Sequence, residues 1–451
     1  MNSPIYDRLC AYKDKNRISF AMPSHKGGKG LKDDFMSLDV TELNDSVDLM
    51  HGDKSTSESL AILAKRYHAD KSYILTCGST IAVHAMICAT LKAGDTLLAA
   101  SDCHMSVINI CSIMGINIRF IPKEYDISPA HPTKTKPVRE NLKKYPDIKG
   151  CIVTSPNYFG VCSDIETIAK DCHDFNIPLL VDEAHGAHFI TSNKFPKTAM
   201  ELGADISCQS AHKTLAALTG GAYLHIKSTL VSPHTLHKAL CIFHSSSPSY
   251  PIAASAEKAF LTLDDDKWNT WGDLCDNLKK DIAKNTQIYF LENDDPTRIV
   301  AIIDAYETTG YDIANALSQE HNIDVEMSTE TAIVMITSPY NTKEELVLLT
   351  GALIKITSSL PERKERIKLF IPPCEDVLLS PRFAINSKSA LLKDSNGCIC
   401  ADTITVYPPG IPVLFSGSKI TQETINYLIN AQKHNARITG ITDNKINIIE
   451  D

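Results

Sequence analysis

The sequence predicts an α/β protein whose larger domain is built on a parallel β-sheet. Between about residues 71 and 227, short β-rich runs alternate with stretches of helical periodicity. Several of these runs are apolar throughout, such as Ile177–Val181, and continuous apolar strands separated by helices are typical of a parallel sheet covered on both faces. A length of 451 residues, of which 43% are hydrophobic, suffices for two or three domains with substantial cores.

The elements of this region follow from apolar spacing and from the residues that flank each run. The stretch Thr80–Lys92 places Ile81, Ala85 and Ala89 on one helical face, and Gly94-Asp95 follows it as a turn. Further helices are predicted at Val107–Met114 and Ile165–Phe175. The predicted strands are Ser72–Thr76, Thr96–Ala100, Ile116–Ile121, Cys151–Thr154, Ile177–Val181 and Ile206–Gln209.

Beyond Ser245 the alternation of apolar strands and helices gives way to a different pattern, which predicts further domains. A long polar helical region to about Leu291 precedes a small α+β pattern: strands at Arg298–Asp304 and Thr331–Thr337, and a helix near Asp312–Glu320. A C-terminal part contains the rigid turn Tyr407–Pro412 and short strands at Ile438–Thr442 and Ile446–Ile449. The predicted organisation is an N-terminal arm (1–55), a large domain (56–245), a linking helix with the small domain (246–360), and a C-terminal domain (361–451).

Composition excludes several classes of protein. A formal charge of −9 argues against nucleic-acid binding, which favours a basic surface. No apolar run reaches the roughly 18 residues of a membrane span, and the start of the chain lacks a signal-peptide pattern, so a cytoplasmic protein is expected. The 14 cysteines are scattered and read as reduced thiols. The spacing of His185 and His188 does not suit zinc, so no metal site is predicted.

The segment Cys77–Thr80 is a candidate phosphate site, because it follows a predicted strand directly and opens a helix. Gly78 lets the backbone approach an anion, while Ser79 and Thr80 supply hydroxyl donors beside the unpaired N–H groups of the helix terminus. The segment has no Walker lysine, which argues against an NTPase. Taken alone, the hydroxyls also fit an ordinary helix N-cap.

Two further residues stand at predicted strand ends, where open α/β sheets place their ligands. Asp182 ends the strand Ile177–Val181, and Lys213 follows the strand Ile206–Gln209. Singly, the aspartate fits a loop cap and the lysine a solvated charge. Together with the phosphate site they predict pyridoxal phosphate, whose pyridine nitrogen needs a carboxylate and whose aldehyde needs an amine.

A set of motifs spread along the chain resembles the Orn/Lys/Arg decarboxylases of the aspartate-aminotransferase fold, in their shorter Gram-positive form without a wing domain. The motifs are Ala21–Gly28, Asp39–Glu42, Gly78–Thr80, Cys103–Ser106, Ser155–Val161, Asp182–Phe189, Ser210–Lys213, Ser245–Tyr250 and Tyr407–Pro412. The resemblance implies the pyridoxal-phosphate fold type I: a mostly parallel seven-stranded sheet domain, a small α+β domain and a C-terminal α+β domain.

The resemblance also implies roles for individual residues. Lys213 would hold the cofactor covalently, Asp182 would pair with its ring nitrogen, and His212 would relay protons. The other cofactor-binding residues implied are Gly78, Ser79, Thr80 and Ser210 at the phosphate, His104 stacked on the ring, Ala184 and His185 near the ring and the substrate carboxylate, and Ser246 reaching the phosphate of a neighbouring subunit in a homodimer or higher homo-oligomer.

The implied function is decarboxylation of a basic L-amino acid (arginine, lysine or ornithine) in polyamine-type metabolism. Three departures bear on the substrate: Ser24 replaces a glycine, the segment Leu43–His51 differs from the family pattern, and Ser418 stands where a glutamate is common. Asp402, shortly before the proline turn, offers a substitute carboxylate. Two alternatives stay open: another pyridoxal-phosphate enzyme, such as an aminotransferase, a lyase or a decarboxylase with an altered substrate, and a catalytically silent homologue.

Overall fold

The computed structural model describes residues 18–20, 26, 47–52, 54–121, 132–366, 387–407, 412–433 and 436–449. Its strands are β1 Ile18–Ser19, β2 Lys71–Leu75, β3 Thr96–Ala100, β4 Asn117–Ile121, β5 Ile148–Thr154, β6 Leu179–Asp182, β7 Ile206–Gln209, β8 Ala222–Ile226, β9 Tyr289–Phe290, β10 Arg298–Ile302, β11 Ile323–Asp324, β12 Met327–Ser328, β13 Ala332–Ile336, β14 Ser387–Leu391, β15 Ile404–Tyr407, β16 Pro412–Leu414, β17 Arg437–Thr439, β18 Ile441–Thr442 and β19 Lys445–Ile449.

The helices of the described residues are α1 Lys54–Arg66, α2 Gly78–Thr90, α3 Met105–Met114, α4 Thr135–Lys144, α5 Ile165–Asp174, α6 Ala211–Thr214, α7 Pro233–Phe243, α8 Tyr250–Leu261, α9 Asp265–Asn285, α10 Gly310–His321, α11 Lys343–Ser358 and α12 Gln422–Lys433. No helix among them is both long enough and apolar enough to cross a membrane. The motif Asp39–Glu42, most of Ala21–Gly28 with Ser24, and residues 43–46 and 408–411 lie outside the described residues.

A seven-stranded sheet in the order β2-β8-β7-β6-β5-β3-β4 forms the centre of the large domain. The strands β7, β6, β5, β3 and β4 run parallel to one another, whereas β8 is antiparallel to both β7 and β2, so β2 points the same way as the other five. The predicted mostly parallel sheet is therefore confirmed. Its six parallel strands all end at one edge, and the candidate site residues gather there.

Burial on both faces explains why the strands are apolar throughout. One core cluster packs α2, α3 and α7 against one face of the sheet, and a second packs α4 and α5 against the other. Leu98 and Val181 sit in the second cluster, whereas their strand neighbours Leu97 and Leu180 sit in the first. Alternate residues of a strand point to opposite faces, so a doubly covered strand has no polar face.

The region beyond Ser245 differs in one respect from the long polar helix that the sequence predicted. Two helices, α8 and α9, occupy it, separated by residues 262–264. Asp264 begins the second helix as its N-cap, because its side chain accepts a hydrogen bond from the backbone N–H of Lys267. The predicted strand Ile438–Thr442 is likewise two strands, β17 and β18, which belong to different sheets.

Two smaller units flank the large domain. The small domain pairs β10 with β13 and β9, and packs α9, α10 and α11 around a core of its own. The C-terminal part has a separate core and contacts the large sheet through Phe415, whose ring stacks on Phe120 of β4 at 4.4 Å between centroids. The predicted domain limits, which divide the chain after residues 55, 245 and 360, remain predictions.

Candidate active site

The site lies at the carboxyl edge of the parallel strands, where β6 and β7 end side by side. Asp182, the last residue of β6, pairs in register with Cys208 of β7. The chain leaves β7 into the four-residue helix α6, which carries His212 and Lys213. Parallel pairing of adjacent strands thus brings the aspartate and the lysine to one edge, as the motif spacing predicted.

The predicted phosphate site is assembled from two separate segments. Gly78 opens α2 with a φ of 78° and donates its backbone N–H to the Gly220 carbonyl at 2.8 Å. Ser210, which precedes α6, donates its hydroxyl to the Ser79 hydroxyl at 2.8 Å. Thr80 is exposed in the first turn of α2. The structure therefore brings the three predicted hydroxyl residues to one helix N-terminus, where unpaired N–H groups favour an anion.

Asp182 is held by neighbouring main-chain and side-chain donors. It is 5% exposed, and its Oδ1 accepts hydrogen bonds from the Ala184 backbone N–H at 3.2 Å and from the Cys208 thiol at 3.6 Å. The Ala184 carbonyl in turn accepts the Ser210 N–H, which ties the end of β6 to the segment after β7. These contacts fix the direction of the carboxylate.

Lys213 sits among groups that oppose one another electrostatically. Burial lowers the pKa of its amine, the Asp182 carboxylate opposes this shift, and the Arg298 guanidinium reinforces it. The Nζ atom lies 3.2 Å from Nε2 of His185. A lowered pKa increases the share of neutral amine, the form that attacks a carbonyl carbon.

His185 connects Lys213 to the small domain. Its Nδ1 lies 2.9 Å from Nη2 of Arg298, and its ring meets the Tyr158 ring edge-on at 5.1 Å. Burial and the positive charges of Lys213 and Arg298 hold the pKa of His185 well below its usual range. The Tyr158 hydroxyl donates to the carboxylate of Glu326, which completes the wall on the small-domain side.

Three predicted residues lie at the margins of this cluster. His104 is the N-cap of α3, and its Nδ1 accepts the Ser106 N–H at 3.1 Å. Burial lowers the pKa of His104, Asp182 opposes this shift and Lys213 reinforces it. His212 directs Nδ1 at the Gly221 carbonyl at 3.0 Å. Ser246 is exposed in the loop between α7 and α8.

The two adjacent acids Asp182 and Glu183 have different surroundings. Glu183 points into the protein, where it accepts the Ala199 N–H and the Gln209 side-chain amide, each at 2.8 Å. Burial raises its pKa to about 8. Gln209 contacts His225, which contacts Ser72, so a buried polar chain crosses the sheet from β6 to β2. Glu183 therefore braces the strand end that carries Asp182.

Sequence reasoning missed the small-domain residues of the site, Arg298 and Glu326, and gave Tyr158 no role. Arg298 begins an otherwise apolar strand and is 1% exposed, and an arginine at such a position is the one signal that could have indicated it. Nothing in the local pattern around Glu326 distinguishes it from a solvated charge. Tyr158 lies within a motif quoted for the family resemblance.

The residues present fit pyridoxal phosphate. The donor set at the start of α2 suits a phosphate, Asp182 suits a protonated ring nitrogen, and Lys213 suits an aldehyde. Each group lies at the same sheet edge, and the amine and the carboxylate are close enough to act on each other's charge.

A parallel sheet in this strand order, carrying a lysine after one strand and an aspartate at the end of its neighbour, defines a pyridoxal-phosphate enzyme of fold type I. The particular family follows from comparison with known sequences. The model described as Orn/Lys/Arg decarboxylase, major domain, matches residues 3–303, and that of the C-terminal domain matches residues 384–445. The chain belongs to the Orn/Lys/Arg decarboxylase family and is a pyridoxal-phosphate-dependent amino-acid decarboxylase.

Relatives of known sequence span nearly the whole chain. It is 31% identical to the Bacillus subtilis protein described as uncharacterized protein YaaO, over 95% of this chain and 94% of that protein. It is 27% identical to the Bacillus subtilis arginine decarboxylase, over 99% and 97% of the two chains. The Francisella novicida lysine decarboxylase has the same fold, with a TM-score of 0.79 at 20% identity over 92% and 75% of the chains.

Proposed function

We propose that this chain converts a basic L-amino acid, with arginine or lysine preferred to ornithine, into the corresponding amine and CO2. The observation that carries the proposal is the juxtaposition of Asp182, Lys213 and the Ser79–Ser210 pair at one sheet edge. Support for a basic substrate comes from the arginine decarboxylase relative, which aligns over 99% of this chain. A cytoplasmic place in polyamine-type metabolism is part of the same proposal.

The residues of the chain divide the work of this reaction. When bound, pyridoxal phosphate supplies an electron sink for the electron pair that the departing carboxylate leaves behind. Asp182 would hold a proton at the ring nitrogen, and Ser79, Thr80 and Ser210 would bind the phosphate. Lys213 would first hold the cofactor and, together with His212, return a proton to the α-carbon after CO2 leaves. His104 would stack on the ring, and Ala184 and His185 would lie near the ring and the substrate carboxylate.

A panel of amino acids tests the proposed substrate. We expect the purified, cofactor-loaded protein to release an amine and CO2 from arginine or lysine. Smaller amounts of both products should form from ornithine, and neither should form from uncharged amino acids. Mass spectrometry of the products distinguishes the amine from an α-keto acid. Formation of an α-keto acid would instead establish the alternative of an aminotransferase, and no product from any basic amino acid would refute the proposed substrate class.

The C-terminal domain offers the carboxylate that would select a cationic side chain. The ring of Phe415 stacks on Phe120 of β4 and the Phe415 carbonyl accepts the Ser418 N–H at 3.0 Å, so the turn that carries Ser418 adjoins the large sheet. Ser418 is 1% exposed and brings no charge. Asp402 accepts a hydrogen bond at 2.9 Å from the side-chain amide of Asn447, which is a neutral partner.

We therefore expect Asp402→Asn to weaken the preference for basic amino acids. One charge-assisted hydrogen bond contributes about 1.5–3 kcal/mol, so kcat/KM for arginine or lysine should fall roughly 10- to 150-fold. Ser418→Glu should raise it, and Asp443→Asn, in the exposed turn between β18 and β19, is the matched control. An unchanged kcat/KM in Asp402→Asn would remove Asp402 from the selecting role.

We also infer that the active unit is a homodimer in which Ser246 reaches the phosphate of the neighbouring subunit. Ser246 is exposed in its own chain, and a glutamate there would repel a phosphate. Ser246→Glu and Lys213→Ala should each be inactive alone. Mixed and reassembled, they should recover about a quarter of wild-type activity, because half of the dimers carry one intact site. Ser247→Glu is the neighbouring control, and no recovery on mixing would contradict the shared site.

A further inference from the structure

Two histidines of one loop bind two residues of one small-domain segment. His185 contacts Arg298 at 2.9 Å, and His188, three residues later, lies 3.2 Å from the carboxylate of Asp295, three residues before Arg298. Asp295 also accepts the N–H and hydroxyl of Thr297. Although burial opposes it, His188 lowers the pKa of Asp295 to about 2, so the acid stays ionised. These four side chains fix the loop after β6 to the small domain.

The contact with Arg298 settles which nitrogen of His185 carries its proton. A guanidinium has donors and no acceptor, so Nδ1 of His185 must accept the hydrogen bond from Nη2. A neutral ring then carries its hydrogen on Nε2, which faces Nζ of Lys213 at 3.2 Å. An ammonium group cannot accept that hydrogen, whereas a neutral amine can. With this tautomer, the contact between His185 and Lys213 is a hydrogen bond only when Lys213 is unprotonated.

Arg298 is buried, and part of its guanidinium makes no hydrogen bond to the described residues. Its side chain is 1% exposed, and within the described part of the chain Nε and Nη1 have no hydrogen-bond partner. The nearby loop admits it through Gly160, where φ is 82° and a Cβ would lie 2.8 Å from the Arg298 Cβ. A buried guanidinium with unused donors is costly to retain. Among the described residues, the hydrogen bond that its side chain makes is the one between Nη2 and His185.

We propose that Arg298 is a positioning residue, which fixes the tautomer of His185 and so keeps Lys213 a neutral amine able to accept the cofactor. Other charged and titratable groups act on Lys213 as well: Asp182 of β6, Cys208 of β7, Glu326 before β12 and His104 before α3. Asp182 and Glu326 favour the ammonium form. Burial and the positive charge of Arg298 oppose the two carboxylates, and the hydrogen bond that His185 can donate to a neutral amine acts in the same direction.

The experiment uses the full chain after removal of the cofactor, so that it does not depend on turnover. Competitive acetylation with acetic anhydride across a pH series, read on the peptide that contains Lys213, reports the neutral fraction of its amine. In Arg298→Met we expect about tenfold less labelling of Lys213 at neutral pH than in the wild type. Arg298→Lys, which keeps a donor and a positive charge, should restore most of it.

Two controls separate the relay from a loss of structure. Arg363→Met removes another small-domain arginine, which donates to the Thr308 carbonyl, and should leave Lys213 labelling unchanged. His185→Phe should reduce the labelling as Arg298→Met does, and the double variant should lose clearly less than the sum of the two single losses. Fully additive losses would show that Arg298 acts on Lys213 through its charge alone and not through His185, which would overturn the relay.

Normal labelling of Lys213 in a folded Arg298→Met protein would also overturn the proposal. Should that variant fail to fold, normal labelling in His185→Phe would overturn it equally. The inference rests on Lys213 being the cofactor lysine, as proposed above. That assignment fails separately, if borohydride fixes the cofactor to a different peptide, and the labelling profile of the cofactor-free protein does not depend on it.

Discussion

Lys213→Ala is expected to lose covalent attachment of pyridoxal phosphate and nearly all decarboxylase activity. The amine is the nucleophile for the cofactor aldehyde and sits beside both Asp182 and His185. Removing it takes away the covalent anchor and one of the two proton donors proposed for the α-carbon. We expect kcat to fall by at least about 10³-fold, the scale seen when a covalent catalytic group is removed.

Borohydride reduction measures this directly, because it fixes the cofactor irreversibly to the lysine that holds it. In the wild type, the cofactor should appear on a single peptide, the one that contains Lys213. Lys227→Ala, at the exposed end of β8 in the same sheet, should be labelled and active like the wild type. A reducible cofactor on another lysine in Lys213→Ala would show that the assignment of Lys213 is wrong.

Asp182→Ala should bind the cofactor yet lose most of its turnover. The phosphate donors of α2 and Ser210 are untouched, so affinity for pyridoxal phosphate should change far less than kcat. Without the carboxylate the ring nitrogen loses its proton and stabilises negative charge less well. The loss of such a preorganised charge costs about 10²- to 10³-fold in rate.

The measurement is kcat at saturating cofactor, together with the cofactor dissociation constant. Asp171→Asn provides the matched control, since this buried acid of α5 pairs with Arg139 of α4, away from the site. It should leave kcat unchanged. Near-normal kcat in Asp182→Ala would exclude the ring-nitrogen role, and a loss confined to cofactor affinity would reassign Asp182 to binding alone.

The elements of the large domain could be predicted because their signals are local. The strands Thr96–Ala100 and Ile206–Gln209 were predicted with the bounds that β3 and β7 have in the structure, and Asp182 and Lys213 were expected at adjacent strand ends. Ser79 and Ser210 could be predicted as well, because each lies in a short motif directly after a predicted strand: Cys77–Thr80 and Ser210–Lys213. Parallel pairing brings these residues to one edge of the sheet, because it aligns the carboxyl ends of neighbouring strands.

The small-domain contribution could not be predicted from such signals. Arg298 and Asp295 reach the site only because the small domain docks on the loop after β6, and no local periodicity encodes that docking. His185 and His188 were noted for their spacing and set aside as unsuited to zinc. Their spacing matches instead that of Asp295 and Arg298, a correspondence between distant segments that a single sequence does not reveal.

The proposed decarboxylation is tested most directly by running the reaction in D2O with L-arginine and L-lysine. Loss of CO2 followed by return of one solvent proton to the α-carbon predicts an amine with exactly one carbon-bound deuterium, found by mass spectrometry, and an equal amount of CO2. Lys213→Ala should give neither product. Amine without CO2, or deuterium entering recovered amino acid with no amine formed, would contradict decarboxylation as the activity of this chain.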